Sequence, residues 1–275
     1  MSTTTEETSS EAAVVATGIG KTFDTRDGEV QALTGVDLEI TAGEFVSLIG
    51  PSGCGKSTLM RLIADLDSPT EGTLEVFGKS PAQARRDQDY GIAFQQAGLL
   101  PWRTVGANIG VPLELHGVAR PDREKRVAEL AELVGLTDFI DRYPDQLSGG
   151  MQQRVAIARS LAEQPRLLLM DEPFGALDEM TRERMQAELA RIVGESGAAV
   201  VFVTHSIPEA VFLSDRVVVL SARPGRITGV VDIGIGRDVH RDEALRETAG
   251  FFEKVTEVRE ALHGTPVTAA AREAR

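Results

Sequence analysis

The sequence predicts an α/β protein: a core of mostly parallel strands, a small antiparallel β subdomain ahead of it and an inserted α-helical subdomain. Three observations predict this. Four short runs, Phe45-Val46-Ser47-Leu48-Ile49, Leu167-Leu168-Leu169-Met170, Val200-Val201-Phe202-Val203 and Val217-Val218-Val219-Leu220, are apolar on both faces, as strands buried between two layers are. Val36-Asp37-Leu38-Glu39-Ile40 instead alternates apolar and acidic residues, the mark of a strand with one wet face. Between Gln95 and Pro165 the texture turns helical.

The elements follow in order. Met1 to Ala13 is rich in Thr, Ser and Glu, with no basic flank and no apolar stretch. It is expected to be a disordered tail and not a signal peptide. Asp27-Gly28 then has the composition of a tight hairpin turn, leading into Val36–Ile40. The strand Phe45–Ile49 precedes a helical stretch from Ser57 to Leu66. In the helical insert, residues 96–165, Val127, Leu130 and Val134 recur at helical spacing on a segment opened by Pro121-Asp122, a good helix start. The remaining aliphatic strands carry the core to about Gly236. In 237–275, Phe251, Val255, Val258 and Leu262 form one helical stripe, and Gly264 is a natural stop. Thr265 to Arg275 is expected to fray, and no repeat of solenoid length is present.

At 275 residues, 42% hydrophobic and 26% charged, the chain has the composition of an ordinary globular protein able to bury a full core. A net charge of -13 argues against sequence-independent nucleic-acid binding, which needs a basic surface. No apolar run approaches the roughly 18 residues of a spanning helix. Cys54 is the only cysteine, so no intrachain disulfide can form, and a reducing, cytoplasmic compartment fits.

Gly50-Pro51-Ser52-Gly53-Cys54-Gly55-Lys56-Ser57 matches G-x-x-x-x-G-K-[ST], the loop that wraps nucleotide phosphates. A strand before it and a helix after it supply the context that motif needs, because phosphates then meet backbone N–H groups at a helix N-terminus. Lys56 should reach the β- and γ-phosphates and Ser57 should ligate Mg²⁺; Gly50 to Thr58 is the expected nucleotide contact. Leu167 to Asp171 is an aliphatic strand ending in an acid, suited to hold Mg²⁺ through water. Glu172, one residue on, is placed to orient the attacking water. The bland reading of the pair, an acidic helix start before Pro173, leaves the phosphate loop without its acid. Ser148-Gly149-Gly150 offers a second anion site: a Ser cap and two glycines leave helix N-terminal N–H groups uncovered. Two anion-binding helix starts on one chain suggest a site shared between subunits.

Taken whole, Leu147-Ser148-Gly149-Gly150-Met151-Gln152-Gln153-Arg154 resembles the signature motif of ATP-binding cassette proteins. With the phosphate loop, the chain from about Val14 to Gly236 looks like the ATPase subunit of an ATP-binding cassette transporter. The resemblance implies a P-loop NTPase (RecA-like) core and two ATPs sandwiched between head-to-tail subunits, with Ser148 and Gly150 acting in trans. It further implies that Gln95 monitors Mg²⁺ and the water, Asp178 is the D-loop acid, His205 contacts the γ-phosphate and Phe23 stacks on adenine. Bland alternatives exist for each: an exposed loop glutamine, a helix-start histidine, a core aromatic. The implied partners are a membrane permease, a second ATPase subunit (identical or related) and, indirectly, a solute-binding protein, with the chain peripheral on the cytoplasmic face of the membrane.

Leu99-Leu100-Pro101-Trp102-Arg103-Thr104-Val105 with Asn108-Ile109, and Ala222-Arg223-Pro224-Gly225-Arg226-Ile227, resemble the nitrate/sulfonate/taurine importer subgroup. This implies import of a small solute; an exporter subunit or a non-transport cassette ATPase is the alternative. Trp102, the only tryptophan, has two readings, core packing or permease contact. Asp65 replaces the glycine relatives commonly carry after the first helix; Asp tolerates the left-handed conformation better than most residues, so a slightly different helix end is expected, with activity intact. Cys54 reads as a small residue that fits its loop, or as a thiolate favoured by the helix start.

Overall fold

The computed structural model describes residues 11–26, 28–235, 241 and 243–264. The expected tail to Ser10, Asp27 of the hairpin turn, the boundary at Gly236 and the end from Thr265 lie outside the described residues. The chain opens with β1 (Ala12–Thr25) and β2 (Gly28–Thr41), a long antiparallel hairpin. β3 (Phe45–Ile49) leads through the phosphate loop into α1 (Lys56–Ile63). β4 (Glu71–Val76), α2 (Pro81–Arg86) and β5 (Tyr90–Ala93) follow. The helical insert holds α3 (Val105–Ile109), α4 (Val111–Leu115), α5 (Arg120–Leu133) and α6 (Gly149–Ser160). The chain then returns through β6 (Leu167–Asp171), α7 (Glu179–Ser196), β7 (Ala199–Val203), α8 (Ile207–Leu213), β8 (Arg216–Leu220) and β9 (Ile227–Asp232). α9 (Glu243–Arg246) and α10 (Ala249–Leu262) close it.

Two sheets result. The smaller has the order β2-β1-β4 and is antiparallel; the larger runs β5-β6-β7-β3-β8-β9, parallel except for β9. In β2, Val36, Leu38 and Ile40 are buried while Asp37 and Glu39 are exposed, as the alternation requires. β3, β6 and β7 are buried at every residue, so their side chains divide between two cores. Phe45, Ile49, Val200 and Phe202 face the helical side, where the rings of Phe45 and Phe174 each lie 5.8 Å from that of Phe202. Val46, Leu48, Val201 and Val203 face α1 and the small sheet. Alternation along single strands thus glues both layers to one sheet.

The helices end where their residues dictate. α1 stops at Ile63, three residues short of the expected Leu66, in a turn with Asp65 at φ 50. Asp65 N–H donates to Leu62 O (3.1 Å) and Leu66 N–H to Arg61 O (2.9 Å), the paired bonds of a left-handed helix stop. The Asp65 carboxylate also meets Arg85 at 3.0 Å, an exposed contact of small energetic value. The first strand begins at Ala12, inside the stretch expected as tail; Ala13 is fully buried, and Glu11 O accepts from Ala42 N–H at 2.8 Å. Two alanines carry little strand signal, so burial against β2 decides there. Among the described residues no helix is long and apolar enough to cross a membrane.

Candidate nucleotide site

The C-terminal ends of β3, β5, β6 and β7 form one rim, the edge where open parallel sheets take ligands. Register fixes who meets whom: Val203 pairs with Leu48 on one side and with Asp171 on the other. The loop after β3, the acids ending β6 and the residues after β7 are therefore neighbours by construction.

Gly55 caps α1 at φ 101, and a Cβ there would stand 2.5 Å from Leu33 Cδ2. Only glycine fits both the angle and the space. The buried Lys56 ammonium donates to Gly50 O (2.8 Å) and Pro51 O (3.1 Å), which curls the loop around it. Cys54 is buried in the core under the loop with its Sγ 3.6 Å from Lys56 Nζ. Of its two readings, the packing one matches this position.

Ser57 Oγ donates to Asp171 Oδ1 at 3.0 Å. Burial holds the Asp171 carboxyl above the usual range; the Ser57 bond opposes that and the neighbouring Glu172 charge adds to it. Glu172 takes φ 46, a left-handed angle that costs a side-chain-bearing residue about 1–2 kcal/mol. Its N–H donates to Val203 O at 2.9 Å, which anchors the bend to β7. Its Oε2 receives Gln95 Nε2 at 3.1 Å and lies 3.3 Å from His205 Nδ1. The structure thus gathers Lys56, Ser57, Asp171, Glu172, Gln95 and His205 on one rim.

Other expected site residues lie apart from it. Ser148 caps α6, its Oγ accepting from Met151 N–H at 3.3 Å, and Ser148 and Gly149 are exposed. Asp178 caps α7 by accepting from Thr181 N–H at 3.0 Å, and that bond lowers its pKa. Phe23 is half-buried near the end of β1 with Lys21 Nζ 4.8 Å from its ring centroid. Among the described residues, no hydrogen bond or ion pair joins Ser148, Gly149, Gly150 or Asp178 to the rim.

Residues without an expected role hold these parts in place. Gln153, buried on α6, donates to Phe94 O at 2.9 Å, and Arg159 donates to Ala97 O and Gly98 O at 2.7 and 3.0 Å. The loop bearing Gln95 is therefore tied to the helix that begins at Ser148. Asn108 is fully buried: its Nδ2 lies 2.9–3.1 Å from the carbonyls of Leu100, Arg103 and Thr104, and its Oδ1 accepts from Leu100 N–H at 2.8 Å. It clamps the loop that carries Trp102, which is 71% exposed; the packing reading of Trp102 is overturned. Gly225 supports the phosphate loop from behind, since a Cβ there would meet Cys54 O at 1.9 Å. The Gln153 signal was present in the signature string, whereas Asn108 and Gly225 act through contacts that spacing does not reveal.

A glycine-rich loop opening a helix from a parallel strand, with a carboxylate bonded to the first helical hydroxyl, defines the class of P-loop nucleoside triphosphatases. Comparison with known proteins narrows the class. The ABC transporter family model matches residues 33–175, and the chain belongs to that family. It is 48% identical over 238 residues to an uncharacterised ABC transporter ATP-binding protein of Methanocaldococcus jannaschii, covering 86% of this chain and 88% of the relative. A nitrate import ATP-binding protein of Synechocystis is 43% identical over 252 residues, 90% of this chain and 94% of the relative. A taurine import ATP-binding protein of Rhizobium johnstonii is 43% identical over 239 residues, with coverages of 86% and 90%. Among solved structures, an ATP-binding cassette in a dimeric post-hydrolysis state bound to ADP and Pi matches with a TM-score of 0.74 at 37% identity. That match covers 80% of this chain and 98% of the cassette.

Proposed function

We propose that this chain is the ATP-hydrolysing subunit of an importer for a small solute of the nitrate, sulfonate or taurine type, acting on the cytoplasmic face of a membrane beside a separate permease. The observation that carries the reading is the convergence of Lys56, Ser57, Asp171, Glu172, Gln95 and His205 on one sheet edge. The names of the nitrate and taurine relatives support the solute class. The exposed Trp102, held by Asn108, is the surface we assign to the permease; a solute-binding protein would act through that permease.

Loop N–H groups and Lys56 receive the phosphates. Ser57, Asp171 and the amide oxygen of Gln95 are hard oxygen donors of the kind Mg²⁺ accepts beside phosphate oxygens. That ion would neutralise charge on the transferring phosphoryl group. Glu172, gripped at Oε2 by Gln95 and His205, orients the water. The water oxygen bonds to the γ-phosphorus as the bond to the bridging oxygen breaks, leaving ADP and phosphate. Phe23 stacks on adenine. Ser148 and Gly149, which are exposed, together with Gly150 complete the site of a second copy, and Asp178 lines the same interface.

The test is Glu172→Gln, which keeps shape and removes charge. Turnover should fall at least about 100-fold while ATP still binds and a dimer accumulates, read by phosphate release and light scattering. Undiminished hydrolysis by a persistent monomer overturns the shared site.

A further inference from the structure

His205 is 70% exposed, so packing does not hold its ring. Its position is set by the residues on either side. Thr204, at the end of β7, is 1% exposed, and Ser206 caps α8 by accepting from Glu209 N–H at 3.4 Å. Between them lies a carboxylate that the hydrolytic scheme above leaves without a task. Glu209 is 7% exposed, and burial raises its pKa. Its Oε2 accepts from Thr204 Oγ1, and Thr204 Oγ1 in turn accepts from Ser206 N–H at 3.0 Å. These bonds close a ring around the backbone of His205.

The ring continues outward. Glu209 Oε1 accepts from Gln186 Nε2 at 2.8 Å, and Gln186 is itself 2% exposed on α7. Arg246 of α9 donates to Gln186 Oε1, with its guanidinium 3.9 Å over the Phe212 ring. An amide whose oxygen is taken by an arginine must turn its nitrogen the other way, so Arg246 aims the Gln186 donor at Glu209. Glu209 also borders a small cavity whose walls include Glu172 and His205. A buried carboxylate has to be compensated by hydrogen bonds, and here a group that compensates it, Thr204, also holds the loop after β7 that carries His205.

From this geometry we infer that Glu209 is a positioning residue for ATP hydrolysis, holding His205 against Glu172 through Thr204 and referring that position to α7 through Gln186. The inference rests on the ATPase reading above. Asp178 caps α7, so the helix that carries Gln186 is the one the chain enters from Asp178.

A double-mutant cycle on the full chain tests it, with steady-state phosphate release measured for wild type, Glu209→Ala, His205→Ala and the double variant. Glu209→Ala should lower kcat about 10–100-fold, as a displaced catalytic group does, with KM for ATP changed less than about 3-fold. Glu209→Gln should recover activity to within about 3-fold, because an amide can accept from Gln186 and donate to Thr204. In the His205→Ala background, Glu209→Ala should cost less than about 2-fold more, since residues acting through one another are not additive. Should Glu209→Ala fail to fold, Thr204→Val takes its place in the cycle, with the same expected values. Multiplicative losses, or a raised KM with kcat intact, overturn the inference while leaving the ATPase reading standing. A wild type without turnover, or a fully active His205→Ala, removes the role of His205 and the inference with it.

Discussion

At the residue scale, the site is made of groups kept where they are uncomfortable. Glu172 holds a left-handed angle, Asp171 is buried beside it, and Glu209 is buried behind the histidine. Each cost makes sense only with a ligand or partner to meet, which is how functional sites retain strain. Glu209 gives a direct check through pH. Burial raises its folded pKa above the ordinary 4.5, so the stability it contributes is full below that value and is lost as pH rises through the folded pKa. Glu209→Gln does not titrate. The difference in Tm between Glu209→Gln and wild type should therefore grow in favour of the variant as pH rises from 4.5, and level off above the raised value. Differential scanning fluorimetry across pH reads it, and a gap that shrinks with rising pH contradicts the assignment.

At the scale of elements, the loop carrying Trp102 is rigid because Asn108 on α3 satisfies four of its backbone groups. Asn108→Ala strands these buried groups and should cost about 1–3 kcal/mol in denaturant unfolding. Trp102→Ala, at an exposed position, should stay within about 0.5 kcal/mol of wild type. Both should weaken binding to permease in membranes, by at least about tenfold for a central aromatic anchor. Equal stability losses would mean that Trp102 packs after all. The same elements mark how far sequence could be read. β3 was legible to the residue because every side chain but the small Ser47 is apolar, and β6, β7 and β8 to within one residue at an end. β1 was not, because register shifts near Gly18 and Gly20 break its two-residue period. α7 was missed for another reason. Its buried residues, Met185, Gln186, Leu189 and Val193, form a thin stripe in a helix otherwise crowded with arginine and glutamate. The motif residues were legible because chemistry restricts them to few types. The clamps were not, since Asn108 and Gln186 gain their meaning from the carbonyls and carboxylates that folding brings to them.

Over the whole molecule, no hydrogen bond or ion pair among the described residues joins the rim to Ser148, Gly149 or Gly150, and on the proposed function each surface is completed by a second copy. Specific ATPase activity should accordingly rise with protein concentration through the range in which dimers form, and level off once they dominate. A specific activity independent of dilution would point to a self-sufficient monomer. Gln153 and Arg159 give this division a further meaning. They hang the loop of Gln95 from the helix that starts at Ser148, and the loop of Trp102 follows a few residues later. A nucleotide that draws Gln95 inward should carry with it the Ser148 surface and the exposed Trp102 that we assign to the permease. The two sides of the transporter are therefore kept in step as hands on one clock are, by sharing an axle, with no message passed between them.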